Sequence, residues 1–135
     1  MTHFGKSMVA LAGVAVVLVS APVSAHHSFE AEYDRSKPVT VTGTVTKMEW
    51  MNPHIYFFID IESEGGDLEK WAVEGGAPNG LYRRGWRKDS LKAGDKVQVD
   101  GWLAKDGSNS MNSGTVLRQA DGLRLFAGTS NPDDR

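Results

Sequence analysis

Between Trp50 and Ile61 the chain reads Trp-Met-Asn-Pro-His-Ile-Tyr-Phe-Phe-Ile-Asp-Ile, and no other stretch restricts the fold as much. Ile55, Phe57, Ile59 and Ile61 alternate with His54, Tyr56, Phe58 and Asp60. That period of two belongs to a β-strand with one face in an apolar core. Asn52-Pro53 marks the turn into the strand, because proline fixes its own φ and drives the residue before it out of the helical region. His54 therefore stands at a strand mouth, where a small barrel presents its working groups.

The flanking segments extend the same pattern. Val39, Val41, Gly43 and Val45 share one parity and Met48 and Trp50 the other, so a long first strand is expected to bend or bulge at Gly43 and serve both sides of a curved sheet. Residues 62–67 read as a hairpin loop, and residues 68–74, with Trp71 and Val73 on one face, as a third strand. Gly75-Gly76 ends it. Residues 77–85 leave room for only a short helix, with Pro78 suited to its first turn and Arg83 and Arg84 to its negative C-terminal end. Trp86 is expected to plug the barrel. Residues 96–105 form a further strand and 106–114 a polar loop, and the segments 115–119 and 123–126 make a hairpin about Asp121-Gly122. The order predicts an all-β chain, a β-barrel with one short helix: an OB-fold-like five- or six-stranded barrel. An open antiparallel sheet packed on one helix is the alternative.

Residues 1–25 carry Lys6, an apolar run from Met8 to Val19, and Val23 and Ala25 at the minus-three and minus-one positions of a cleavage site. They read as a secretory signal peptide, cleaved after Ala25 or alternatively after Ala21. The run is well short of the roughly 20 residues that span a bilayer, so the mature chain is expected to be periplasmic or secreted and not embedded in a membrane. Residues 26–37 then form a polar arm, pinned to the domain by Phe29 and Tyr33; residues 38–128 form the barrel and 129–135 a disordered tail.

Composition removes several classes of function. A chain of 135 residues with no cysteine has no disulfide framework, thiolate metal site or cysteine nucleophile. The formal net charge of −2 argues against a nucleic-acid partner. Removal of Lys6 takes it to −3, with 14 of the 15 basic residues left against 17 acidic ones. No serine lies in a Gly-x-Ser-x-Gly context and no His-Glu-x-x-His occurs, so no catalytic residues are assigned. Asp60 and Glu74 could be drafted as a carboxylate pair, but nothing in their spacing singles them out.

Several stretches resemble, in order, a family of small exported bacterial proteins catalogued as domain of unknown function 6152. They are Ala-His-His-Ser-Phe at the expected mature start, Lys-Pro-Val-Thr-Val-Thr-Gly-Thr-Val, Glu-Trp-Met-Asn-Pro-His, Arg-Arg-Gly-Trp, Ser-Leu-Lys-Ala-Gly-Asp-Lys-Val and Ala-Lys-Asp-Gly-Ser-Asn. The resemblance implies export and one small β domain. It carries no established activity.

Three sets of residues offer chemistry. Cleavage after Ala25 would leave His26-His27 at the terminus, an amine and two imidazoles that suit Cu(II), with His54 as a further nitrogen and Met48 and Met51 as soft donors nearby in sequence. The plain alternative is two hydrophilic spacers and a strand-end histidine bonded to backbone. Arg83, Arg84, Trp86 and Arg87, with Lys88, form a cationic cluster around an indole that could hold a carboxylate or phosphate, or balance Glu69 and Glu74. Trp50 and Tyr56, with Phe58, Trp71 and Trp102, could stack sugars or bases, or simply pack in the core. The sequence thus points to an exported, non-enzymatic binding module for a protein or small ligand, with copper as its candidate cofactor. The alternative is a histidine-brace copper redox enzyme.

Overall fold

The computed structural model describes residues 29–128. The expected signal peptide, His26, His27 and the tail lie outside the described residues. The elements in order are α1 (Phe29–Glu32), β1 (Tyr33–Glu49), β2 (Tyr56–Glu62), β3 (Leu68–Glu74), α2 (Pro78–Arg83), β4 (Lys96–Ala104), β5 (Ser110–Arg118) and β6 (Leu123–Phe126). Antiparallel pairing gives the strand order β3-β2-β1-β4-β5-β6, and a parallel pairing of β3 with β5 closes the first five into a barrel. That closure, with α2 between β3 and β4, is the OB-fold, and it removes the open-sheet alternative.

Alternation in the sequence becomes inside and outside of the barrel. Ile55, Phe57 and Ile59 are fully buried with Val45, Val73, Val97, Val99, Met111 and Val116, while Ile61 and Trp71 pack against them from the rim. Leu81 and Trp86 join the same cluster, and the Trp86 indole Nε1 donates to the Phe126 carbonyl at 2.8 Å. A buried indole N–H requires such an acceptor.

Three boundaries differ from the sequence reading. The parity change in β1 comes from a register irregularity between Val45 and Lys47, not at Gly43. Gly43 answers a different need, since a Cβ there would stand 2.6 Å from the Asp60 carbonyl oxygen of β2. The residues read as a polar loop up to Gly114 are already strand from Ser110, because β3 on one side and β4 on the other supply backbone partners. β1 begins at Tyr33, inside the segment read as an arm, because Tyr33 is buried and pairs with Ala104. The arm's rings do pack: Phe29 meets Tyr33 at 5.6 Å and the edge of Trp102 at 5.5 Å between centroids.

Candidate functional site

The turn from β1 into β2 sets His54 beside the end of β3. The Ile55 N–H donates to the Gly76 carbonyl at 3.1 Å and the Gly75 N–H to the Ile55 carbonyl at 2.9 Å. The two segments approach so closely that a Cβ on Gly75 would lie 2.7 Å from the Ile55 side chain. Antiparallel register then puts Tyr56 directly opposite Glu74 on the outer face of the barrel.

Glu74 is the centre of this arrangement. Its side chain is 5% exposed, and a carboxylate so far from water is tolerated only when its oxygens are satisfied. Oε1 receives the Nδ1–H of His54, and Oε2 receives the hydroxyl of Tyr33. The Tyr56 hydroxyl also engages Glu74. Burial, followed by the hydrogen bond to Glu74, pushes the Tyr33 phenol far above its ordinary value. Burial and the charges of Glu74 and Glu32 push Tyr56 up to about 12. Both phenols therefore stay protonated at neutral pH and act as donors. His54 is 19% exposed, and among the described residues its Nε2 has no hydrogen-bond partner. Ser113 completes the frame by donating its hydroxyl to the Glu74 backbone carbonyl at 2.8 Å.

Beside the cluster lies a cleft of about 540 Å³ whose lining includes Glu32, Tyr33, Tyr56, Lys105, Asp106 and Ser108. Its walls come from the arm, β2 and the β4–β5 loop. A second groove, of about 520 Å³, runs along β1, β4 and β5 and includes Asp100, Trp102 and Phe126. There Asp100 accepts from Thr40 at 2.7 Å and Thr115 at 3.0 Å, and the Thr40 bond holds its carboxyl below the ordinary value.

Of the described residues singled out from sequence, His54, Tyr56 and the drafted Glu74 meet in this cluster, and Trp50, Arg83, Arg84, Trp86 and Arg87 do not join it. Trp86 is fully buried and offers no surface for a ligand, which corrects its place in a binding cluster. Arg84 lies 4.9 Å from the Phe126 ring and donates to the Gly128 carbonyl at 3.1 Å. Arg87 covers the Tyr82 ring at 3.8 Å and donates to the Trp86 carbonyl at 2.7 Å. Arg83 is exposed, and Trp50 packs partly buried against the core. These cations balance neither Glu69, which accepts from the Trp71 indole, nor Glu74. Asp60 faces Lys70 at 3.6 Å, toward the far end of β2, so it forms no pair with Glu74. Among the described residues no three His, Asp or Glu side chains converge as a metal cluster.

Sequence reasoning missed Glu74 as the partner of His54, and Tyr33 as the group that shares it. A signal for the first was present: counting back from the hairpin loop places Glu74 opposite Tyr56. Nothing local placed Tyr33 there.

A family model described as a family of unknown function (DUF6152) matches residues 13–114. Solved structures similar to this chain include the dimeric N-terminal domain of PriB protein from Thermoanaerobacter tencongensis, 15% identical with a TM-score of 0.41, over 62% of this chain and 96% of that one. Another is the second single-stranded DNA binding protein (SSBb) from Mycobacterium smegmatis, 19% identical with a TM-score of 0.42, over 70% of this chain and 98% of that one. No curated protein matches the chain. The exclusion of a nucleic-acid partner drawn from net charge does not stand. A charge summed over the whole chain does not report the field at one face of a barrel.

Proposed function

The chain belongs to the DUF6152 family, and we propose that it is an exported, non-enzymatic OB-fold module that binds its ligand on the outer face of the barrel, where the β1–β2 turn, the arm and the β4–β5 loop meet. The observation that carries this reading is Glu74: a buried carboxylate that joins His54, Tyr33 and Tyr56 from separate segments beside an open cleft. Apolar residues would close the outer face of β3 at less cost, since burying a charge is expensive even when it is paired. Ionisable groups with perturbed pKa values beside a cleft are the physical signature of a candidate binding or reaction site. Export rests on the sequence of residues 1–25.

Two measurements test the proposal. Intact mass of the exported protein is expected to correspond to a start at His26; an uncleaved chain in the membrane fraction would overturn export. The ¹⁵N-labelled mature chain is then titrated separately with Cu(II), chitotetraose, a tetrapeptide and oligothymidylate. At least one probe is expected to shift or broaden the amides of Tyr33, His54, Tyr56 and residues 105–109. Silence from every probe, or a response confined to the groove at Asp100 and Trp102, would overturn the site.

A further inference from the structure

We propose that the groove along β1, β4, β5 and β6 is a second binding site, for a neutral oligosaccharide of pyranose rings, with Trp102 and Phe126 taking the apolar faces of the sugar and Thr40, Thr115 and Asp100 its hydroxyls. The groove lies apart from the cleft beside Glu74, and no residue lines both.

Strand register builds the polar centre. Thr40 of β1 is paired with Asp100 of β4, Asp100 with Thr115 of β5, and Thr115 with Phe126 of β6, so the four stand in one row across the sheet. Asp100 lies between Val99 and Gly101, both buried, and the alternation of a strand turns its side chain, and that of Trp102 two residues on, to the outer face. Both threonines donate to the carboxylate, at 2.7 and 3.0 Å, and Arg124 stands 3.6 Å from it. Each threonine proton is thereby fixed on Asp100, which leaves the hydroxyl oxygen's lone pairs to accept. The carboxylate itself remains 40% exposed.

The walls are aromatic and held from behind. Trp102 meets Phe29 edge-on at 5.5 Å and lies 6.0 Å from the Arg35 guanidinium. Its ring passes over Gly114, where a Cβ would stand 3.4 Å from Cζ3. Phe126 has the Arg84 guanidinium 4.9 Å from its ring centre. Rings fixed in this way need little ordering when a ligand arrives. Both stay partly exposed, whereas rings that served packing alone would gain by full burial. The space they line is about 520 Å³, the size of a small-molecule site.

The chemistry selects among ligands. A wholly apolar ligand would cover the Asp100 carboxylate without replacing its water. A cation would find that carboxylate already opposite Arg124, and the two rings already faced by Arg35 and Arg84. A phosphodiester chain would set its own charge against Asp100. A pyranose ring offers a C–H face to an aromatic wall and an edge of hydroxyls that donate to the threonine oxygens and accept from Arg124.

The test titrates the ¹⁵N-labelled mature chain with chitotetraose, cellotetraose and maltotetraose separately, and with oligothymidylate and tetraproline as contrasts. At least one saccharide is expected to shift the amides of Thr40, Asp100, Gly114 and Thr115 and the indole N–H of Trp102. Calorimetry then measures its affinity. Trp102→Leu should weaken binding about tenfold, as loss of an aromatic anchor does. The double variant Thr40→Val, Thr115→Val should also weaken it about tenfold, by leaving sugar hydroxyls without acceptors. A circular dichroism melt checks the folding of each variant, and the threonine pair decides the matter if Trp102→Leu loosens the arm. Unchanged affinity in the threonine variant, a groove silent to all three saccharides, or a groove that answers only oligothymidylate or tetraproline would overturn the inference. Shifts at Tyr33, His54 and Tyr56 with a silent groove would overturn this site and leave the one beside Glu74 standing; saccharide shifts in the groove alone would do the reverse.

Discussion

Glu74 illustrates how one side chain can bind two segments that are distant in sequence. Tyr33→Phe deletes the donor to Oε2 and keeps the ring against Phe29. It is expected to lower stability by about 1 to 3 kcal/mol, the usual cost of leaving a buried charged acceptor short of a partner, as read from the urea midpoint at constant slope. An unchanged midpoint would mean that water replaces the hydroxyl and that the arm is not fastened here. Glu74→Leu tests the other oxygen. With no acceptor opposite Nδ1, His54 is no longer held in the Nδ1–H form, and the ¹⁵N shifts of the imidazole should move toward those of a ring that exchanges between tautomers. Unchanged ¹⁵N shifts would show that Glu74 does not set the tautomer. At this scale the sequence singled out His54 because a turn and a strand meet there. From sequence Tyr33 reads only as an anchor, since the contact it makes spans 41 residues and no periodicity encodes such a distance.

The elements were legible wherever apolar residues alternate, as in β2, β3 and β4. They were obscure where the strand is polar. Ser110 to Gly114 looks like loop because its pattern is not alternating, yet Met111 is in the core and Asn112 and Ser113 are buried by the parallel pairing with β3. The polar opening of β1 was missed for a similar reason. A glycine in a strand pattern signalled special geometry at Gly43 but not its kind, which is close approach rather than a bend. Three alanine substitutions separate these cases. At Gly101 a Cβ would fall 2.0 Å from the Asn112 carbonyl oxygen and 2.9 Å from Met111, so Gly101→Ala should be the most damaging of the three. Gly43→Ala, at 2.6 Å from a backbone oxygen, should cost about 1 to 3 kcal/mol. Gly80 in α2 has nothing within 4 Å of a Cβ, and Gly80→Ala should stabilise by up to about 1 kcal/mol through helix propensity. Thermal melts give the order, and a harmless Gly101→Ala would mean that the β4–β5 irregularity relaxes without cost.

For the whole molecule, the barrel class followed from the count of strands and the place of the helix, whereas the chemistry depended on which outer-face residues the closed barrel brings together. The same closure gives the molecule a pH dependence at its alkaline end. Tyr33 and Tyr56 both have folded-state values above the ordinary 10, Tyr56 at about 12 and Tyr33 higher still, with burial the largest cause and the Glu74 carboxylate next. A raised folded value means that the folded chain holds these protons more tightly than the unfolded chain. Their contribution is therefore fully present below pH of about 10 and is lost as pH rises through 12 and beyond. Lysines also titrate in this range, so the measurement is a difference: urea midpoints from pH 8 to 12 for wild type and for the Tyr33→Phe, Tyr56→Phe double variant. The double variant should be less stable at pH 8 and fall less steeply above pH 10. Tyrosinate absorbance in a Tyr82→Phe background should show that Tyr56 ionises before Tyr33. Because a Tyr33 phenolate would face Glu74 across a contact that now holds a proton, its ionisation should also release the arm, exposing Phe29 and the edge of Trp102 and shifting indole fluorescence together with the absorbance change. Parallel curves for wild type and the double variant would assign the alkaline loss to other groups and leave Glu74 without its role in holding the arm.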